Sequence, residues 1–353
     1  MDLTYAQKSV TGPVRKKNED CVGFWQPQTP ELIRAVGIAS IIADGVGGAG
    51  RGEVASQLAV ETALRARLKN HFEADGQLLS KWGSQAGRMH NILYPTDLSD
   101  EQWNLLQAVL PPSPTRRRRG RPPADRRRIC NALLYMVRAG CAWRLLPRDF
   151  GPWKTVYHYF RLWSQKGFWQ AIHDVFRKVV RDQAGKRSQP TAAILDSQTV
   201  RSSDQAGERG YDAAKKTKGI KRHILVDTLG LLLAVCVTPA DVPEREGARR
   251  LLAPALAWFR WLRCLWADQG YDGAELAHWV AAHRKTGTLR LEVVPRLQDQ
   301  RGFQVLRKRW MVERTFGWFM KHRRLVRHYE VKTAHAEAWL HITMIGVMLR
   351  RLA

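Results

Sequence analysis

Ala192-Ala193-Ile194-Leu195-Asp196-Ser197-Gln198-Thr199-Val200, read together with Lys221-Arg222-His223-Ile224-Leu225-Val226-Asp227-Thr228 and the apolar run 231–238, decides the fold. All three are short runs rich in apolar and β-branched residues, and Leu229-Gly230 is a connection between the second and third that suits a hairpin. Downstream the character alternates. A helical period covers 244–259, an apolar strand-like run covers 262–267, and a helix covers 274–284. A strand at 288–294, a long helix at 303–324 and a hydrophobic helix at 334–352 complete the order. Three strands followed by helix, strand, helix, strand and two helices predict an α/β fold, a mixed sheet with flanking helices.

Upstream, 89–188 reads as helical. Ser99 and Gln102 are spaced as a capping box for a short helix that Pro111 and Pro112 end. Arg116, Arg117, Arg118, Arg119, Arg121, Arg126, Arg127 and Arg128 then put eight arginines within thirteen residues. A helix over 125–139, stopped by Gly140, precedes two more at 153–165 and 168–182, with Trp143, Trp153, Tyr157, Tyr159, Phe160 and Trp163 between them. This pattern fits a helix-turn-helix-like DNA-binding domain, or an ordinary small helical bundle. The first 88 residues read differently again: an apolar run at 33–44 into a glycine-rich turn, a helix at 53–72, and a polar junction from 76. Three domains follow, at 1–88, 89–188 and 189–353.

The net charge of +26 is unevenly spread. Residues 1–88 hold 11 Lys/Arg against 9 Asp/Glu, leaving 47 against 23 for the rest. A polyanion is the natural partner of that second part, since phosphate neutralisation releases counterions. Five scattered cysteines with no C-x-x-C pair argue against a zinc finger or a disulfide scaffold, and for reduced thiols in a cytoplasmic protein. The longest apolar stretch is interrupted by Asp227, so no membrane span is expected.

Three carboxylates stand out. Asp196 lies in the first strand of the α/β region, Asp268 ends the fourth, and Glu313 sits mid-helix. If the first and fourth strands are neighbours, both aspartates emerge together, and a helix crossing the sheet delivers the glutamate. Carboxylates so gathered repel one another without cations. Magnesium or manganese, as two ions, relieves this while leaving positions open for water and phosphate. Arg309, one turn before Glu313, is spaced to hold a DNA phosphate, with Lys321, Arg323 and Arg324 extending the basic surface. Lys218, Lys221 and Arg222 are further candidate phosphate contacts, or part of a solvated loop. Each acidic residue also has a local reading, Asp268 as a turn residue before Gln269-Gly270 and Glu313 as a surface partner of Arg309.

Residues 89–353 resemble transposases of the insertion sequence 5 family, DDE enzymes with a ribonuclease-H-like core. The resemblance is carried by YPTDLSDEQWNLLQAVLP, ICNALLYMVRAGCAWRLLP, WKTVYHYFRLW, AAILDSQTVRSS, GYDAAKKTKGIKRHILVDTLGLLLAVCVTPADVPER, WADQGYDG and RWMVERTFGWFMKHRRL. It implies that Asp196, Asp268 and Glu313 form the metal-binding catalytic triad. It also implies cleavage at the terminal inverted repeats of an element, joining of the 3′-hydroxyl ends to target DNA, and a homo-oligomer on double-stranded DNA in the nucleoid. Arg309 matches the arginine of a related Tyr, Arg, Glu, Lys signature, whereas Leu306 and Met320 replace its tyrosine and lysine. The motifs around Arg15, Asp20, Asp44 and Gly45 resemble the opening of PPM-type protein Ser/Thr phosphatases and imply an incomplete α+β phosphatase fragment, to which a mobile element has been fused. Met89 would then be the start of a shorter protein. A non-catalytic DNA-end-binding inhibitor and a metal-dependent phosphatase are the alternative readings.

Overall fold

The computed structural model describes residues 94–111, 124–283, 288–294 and 309–353, and the backbone of 21–25 and 39–43. Two compact units divide the chain, one of 1–122 with 166–175, the other of 123–165 with 176–353. In the first, strands β1 (Cys21–Trp25) and β2 (Ala39–Ala43) pair antiparallel, Cys21 opposite Ala43. Helix α1 (Asp100–Val109) starts at the expected capping box: the Ser99 hydroxyl accepts from the Gln102 N–H, and the Gln102 side chain accepts from the Ser99 N–H. Asp100 and Glu101 in its first turn complement the helix dipole.

The second unit contains α2 (Arg126–Ala139), which Asp125 caps by accepting from the Arg127 and Arg128 N–H groups. Gly140, at φ 73°, ends it in the left-handed conformation that glycine adopts without a Cβ penalty. Helix α3 (Trp153–Gln165) follows, then α4 (Phe168–Gln183), within which the division of the chain falls. Phe160 of α3 stacks at 4.5 Å on Trp339 of the C-terminal helix, and Trp143 lies within 5.8 Å of the same ring. Of the large rings that the sequence displays over 143–163, Phe160 and Trp163 are buried and Trp143, Trp153, Tyr157 and Tyr159 half-buried.

The sheet is mixed α/β, as expected. Strand β3 (Ala192–Arg201) pairs antiparallel with β5 (Thr217–Asp227), which also pairs with β4 (Gly210–Asp212) and β6 (Leu232–Pro239). The turn between β5 and β6 is built on Asp227, fully buried, whose Oδ1 accepts the Leu229 and Leu231 N–H groups at 2.8 Å. Arg181 of α4 neutralises that carboxylate. Helix α5 (Glu244–Trp258) then leads to β7 (Cys264–Ala267), which runs parallel to β3, and α6 (Ala274–Ala282) leads to β8 (Arg290–Val293), parallel to β7. Strands β3 and β7, the fifth strand of this region once β4 is counted, are thus neighbours, which meets the condition under which the two aspartates emerge together.

Alternating residues make the core. Ala193, Leu195 and Leu225 meet Ala248, Leu251, Leu252 and Ala255 of α5, with Leu265 and Tyr271 completing the cluster. Burial of this apolar surface is the main force fixing α5 on the sheet. Beyond β8 the described chain resumes at Arg309 with α7 (Trp310–Met320), the short α8 (Arg323–Val326) and α9 (Thr333–Leu352). The long helix expected over 303–324 is therefore interrupted: His322 is extended, at φ −112° and ψ 111°, and separates α7 from α8. No described helix is long and apolar enough to cross a membrane.

Candidate active site

Parallel pairing of β3 and β7 matches Ile194 with Trp266. Asp196 lies two residues further along β3 and Asp268 just past the end of β7, so both stand near the carboxyl end of the parallel pairing. Carboxyl ends of parallel strands are where open α/β sheets place ligands. Each aspartate spends one oxygen on its own backbone. Asp196 Oδ1 accepts the Ser197 N–H at 2.7 Å, and Asp268 Oδ1 accepts the Gly270 N–H at 3.0 Å. The turn-capping reading of Asp268 is therefore correct for that oxygen alone. The second oxygens share a cation: Arg309 Nη2 lies 3.7 Å from Asp196 Oδ2 and 3.5 Å from Asp268 Oδ2.

Those separations are ion-pair distances, beyond ordinary hydrogen bonds. One guanidinium facing two carboxylates leaves negative charge uncompensated. Burial first, and the Asp268 charge second, push Asp196 up from 3.8 to about 7, against the opposing pull of the Ser197 N–H and Arg309. Arg309 itself is buried, at 7% exposure, immediately before α7. Its side chain is turned into the aspartate pair.

Glu313 stands in the first turn of α7, exposed, its N–H donating to the Arg309 carbonyl at 3.4 Å. Among the described residues no three His, Cys, Asp or Glu side chains are gathered as a metal-holding group. The structure thus brings Asp196, Asp268 and Arg309 together and leaves Glu313 one turn away on the helix that carries Arg309.

Three neighbours escaped the sequence reading. The Ser197 hydroxyl donates to Glu244 Oε1 at 2.9 Å, and the other Glu244 oxygen lies 2.2 Å from where a Cβ on Gly270 would stand. Tyr271, fully buried beside these groups, is raised well above its usual value, first by burial and then by the Asp196 charge. In sequence, Glu244 reads only as the first residue of a helix. The adjacency of Ser197 to Asp196, and of Gly270-Tyr271 to Asp268, is the one available hint.

The candidate DNA contacts divide by burial. Lys218, Arg128, Lys321 and Arg323 are exposed, and Arg126 is half-buried. Lys221, Arg222, Arg127 and Arg324 are buried. Lys221 Nζ donates to the Val242 carbonyl at 3.0 Å, near Asp212 at 3.8 Å. Arg324 donates from Nε and Nη2 to Glu330 Oε1, at 2.9 and 2.6 Å, beneath the Trp143 and Trp339 rings. Arg116, Arg117, Arg118, Arg119 and Arg121 lie outside the described residues, as do Arg15, Asp20, Asp44 and Gly45.

Residues 98–173 match the family model described as "Putative transposase of IS4/5 family (DUF4096)", and residues 187–349 match "Transposase DDE domain". Residues 1–97 lie outside both matches. The chain is 31% identical over 108 residues to the "Insertion element IS402 uncharacterized 16.2 kDa protein" of Burkholderia cepacia, covering 30% of this chain and 72% of that protein. It is 34% identical over 70 residues to "Uncharacterized protein y4sN" of Sinorhizobium fredii (strain NBRC 101917 / NGR234), 20% of this chain and 54% of that one. With two ordered family matches running from the first helices to the C-terminal one, this chain belongs to the IS4/5 family of transposases.

Proposed function

We propose that this protein cuts phosphodiester bonds at the ends of an insertion element and joins the freed 3′-hydroxyl ends to target DNA. The observation that carries the reading is the convergence of Asp196, in β3, and Asp268, just past the end of the neighbouring parallel strand β7, on one cation shared by their Oδ2 atoms. The α/β unit is the ribonuclease-H-like catalytic domain, over 189–353, and the helices of 89–188 form the helix-turn-helix-like DNA-binding domain.

The donor chemistry suits magnesium or manganese. Two carboxylate oxygens face one point, their mutual repulsion shows in the raised Asp196, and hard divalent cations favour an all-oxygen set. Asp196 and Asp268 would hold the ions, with Glu313 joining from α7. When bound, such ions supply an activated hydroxyl and stabilise the departing oxygen. Arg309 is the resident counter-charge that leaves the aspartates and takes a DNA phosphate instead. In the first step water adds to the phosphorus and the bond to the 3′ oxygen breaks. In the second that 3′-hydroxyl attacks a target phosphodiester and displaces the target strand's own 3′ oxygen, which leaves with a proton, so no covalent protein–DNA bond forms.

Affinity for DNA rests on the exposed cations. Among the candidate contacts in the described residues these are Arg128, Lys218, Lys321 and Arg323, and a polyanion that neutralises them releases its counterions. The protein works as a homo-oligomer on paired element ends in the cytoplasm, at the nucleoid. Residues 1–88 descend from a phosphatase gene into which the element inserted. Mass spectrometry of the native product tests whether translation starts at Met89, and abundant peptides from 1–88 would count against that start.

The decisive assay is cleavage and strand transfer in magnesium on DNA carrying the element's terminal repeats. Asp196→Asn and Asp268→Asn abolish product and retain DNA binding. Product formation surviving either change overturns the assignment.

A further inference from the structure

We infer that Glu244 is a positioning residue that braces the two aspartate-bearing segments against one another, an inference that rests on the metal-binding reading of Asp196 and Asp268. Its carboxylate, at the start of α5, reaches both segments. One oxygen is anchored by the hydroxyl of Ser197, the residue after Asp196. The other occupies the space beside Gly270, the residue whose N–H holds Asp268 Oδ1. Helix α5 is fixed behind it by Ala248, Leu251, Leu252 and Ala255 in the core, so the carboxylate stands on a rigid support.

The placement is specific to a site rather than to a surface ion pair. Lys215 Nζ lies 3.7 Å from Glu244 Oε1, but that lysine is 47% exposed and such pairs contribute little. Gly247, one turn along α5, has no room for a Cβ beside the His223 ring, which shows how closely this end of the helix is pressed onto the sheet. A carboxylate held there adds negative charge next to Asp196, favouring a bound cation, and fixes the aspartate spacing that a cation requires. Outer groups that orient ligands in this way typically alter metal affinity by about 10- to 100-fold when removed.

Mn2+ titration of the full chain, without DNA, tests the role directly. Glu244→Gln keeps the size of the side chain and an acceptor for Ser197, and loses the charge. We expect it to bind Mn2+ at least about 10-fold more weakly than the wild type, with an unchanged melting temperature in the metal-free state. Affinity equal to the wild type in both Glu244→Gln, which removes the charge, and Ser197→Ala, which removes the anchor, overturns the inference while leaving Asp196 and Asp268 as ligands. A wild type that takes up no Mn2+ overturns both readings. Should Glu244→Gln fail to fold, Ser197→Ala removes the anchoring hydroxyl alone: weaker Mn2+ binding supports the brace, and unchanged binding refutes it.

Discussion

Replacing Asp196 by asparagine should make the metal-free protein more stable while destroying its activity. Asp196 is raised from 3.8 to about 7, chiefly by burial and by the facing Asp268. An acid whose folded value lies above its unfolded one is favoured when protonated. Its ionisation therefore removes stability progressively as the pH rises from about 4 through about 7. At about 1.4 kcal/mol for each tenfold change in proton affinity, the full cost of ionising it in the fold is roughly 4 kcal/mol. Asparagine mimics the protonated form but turns an amide toward Arg309, so about half of that gain should survive. We expect Asp196→Asn to exceed the wild type by about 2 kcal/mol near pH 8 and by almost nothing near pH 4. Urea unfolding of both proteins, without metal, measures the difference, and other titrations cancel in the comparison. A variant less stable than the wild type near pH 8, or one that gains equally at both pH values, would show that the Arg309 ion pair outweighs the repulsion and that the reasoning is wrong.

Arg309→Gln removes the cation shared by both aspartates and should cost about 2 to 3 kcal/mol near pH 8, most of it recovered by excess Mn2+ in a thermal melt. Burial holds His223 and His328 at about 4, below the ordinary 6.5. The unfolded chain therefore binds more protons at these two histidines below pH 6.5, and against the one proton that Asp196 releases the three groups together should take up about one proton per unfolding event near pH 5, so that stability falls as the pH drops. Gly247→Ala places a methyl 2.1 Å from the buried His223 ring and should cost about 2 kcal/mol by urea unfolding. Gly317→Ala, in α7 with nothing within 4 Å, should instead stabilise by about 0.5 to 1 kcal/mol, as expected for glycine in an exposed helix.

Local chemistry was legible wherever a few adjacent residues carried it. Ser99 with Gln102 marks the start of α1, Gly140 stops α2, and Leu229-Gly230 turns β5 into β6. The alternation of strands and helices left the adjacency of β3 and β7 as a condition, because strand order is set by pairing across the sheet and not by local sequence. Strand β4 escaped notice because it is three residues long and exists through its pairing with β5. The break at His322 also went unread, since Lys321 to Arg324 keep a composition that a continuous helix tolerates.

The basic residues were the hardest to read, and the reason is physical. A guanidinium looks the same in sequence whether it meets DNA or a buried carboxylate, and that carboxylate can come from anywhere in the chain. Arg181 finds Asp227 across 46 residues, and Arg309 finds aspartates on two strands that precede it. Arg324 reaches Glu330 only because His322 turns the chain out of α7 and α8 lies against the Cys141 carbonyl. A positive charge of +26 therefore overstates the surface available to a polyanion, because several of its arginines are consumed inside the fold. Of the candidate contacts, those exposed among the described residues, Arg128, Lys218, Lys321 and Arg323, are where single substitutions should weaken DNA binding and flatten its salt dependence. Substituting Arg324 instead should unfold the aromatic layer that Glu330, Trp143 and Trp339 form around it, with DNA affinity lost only as a consequence. Melting temperature and DNA affinity measured on the same variants separate the two classes, and an Arg324→Gln protein that melts normally but no longer binds DNA would refute the division.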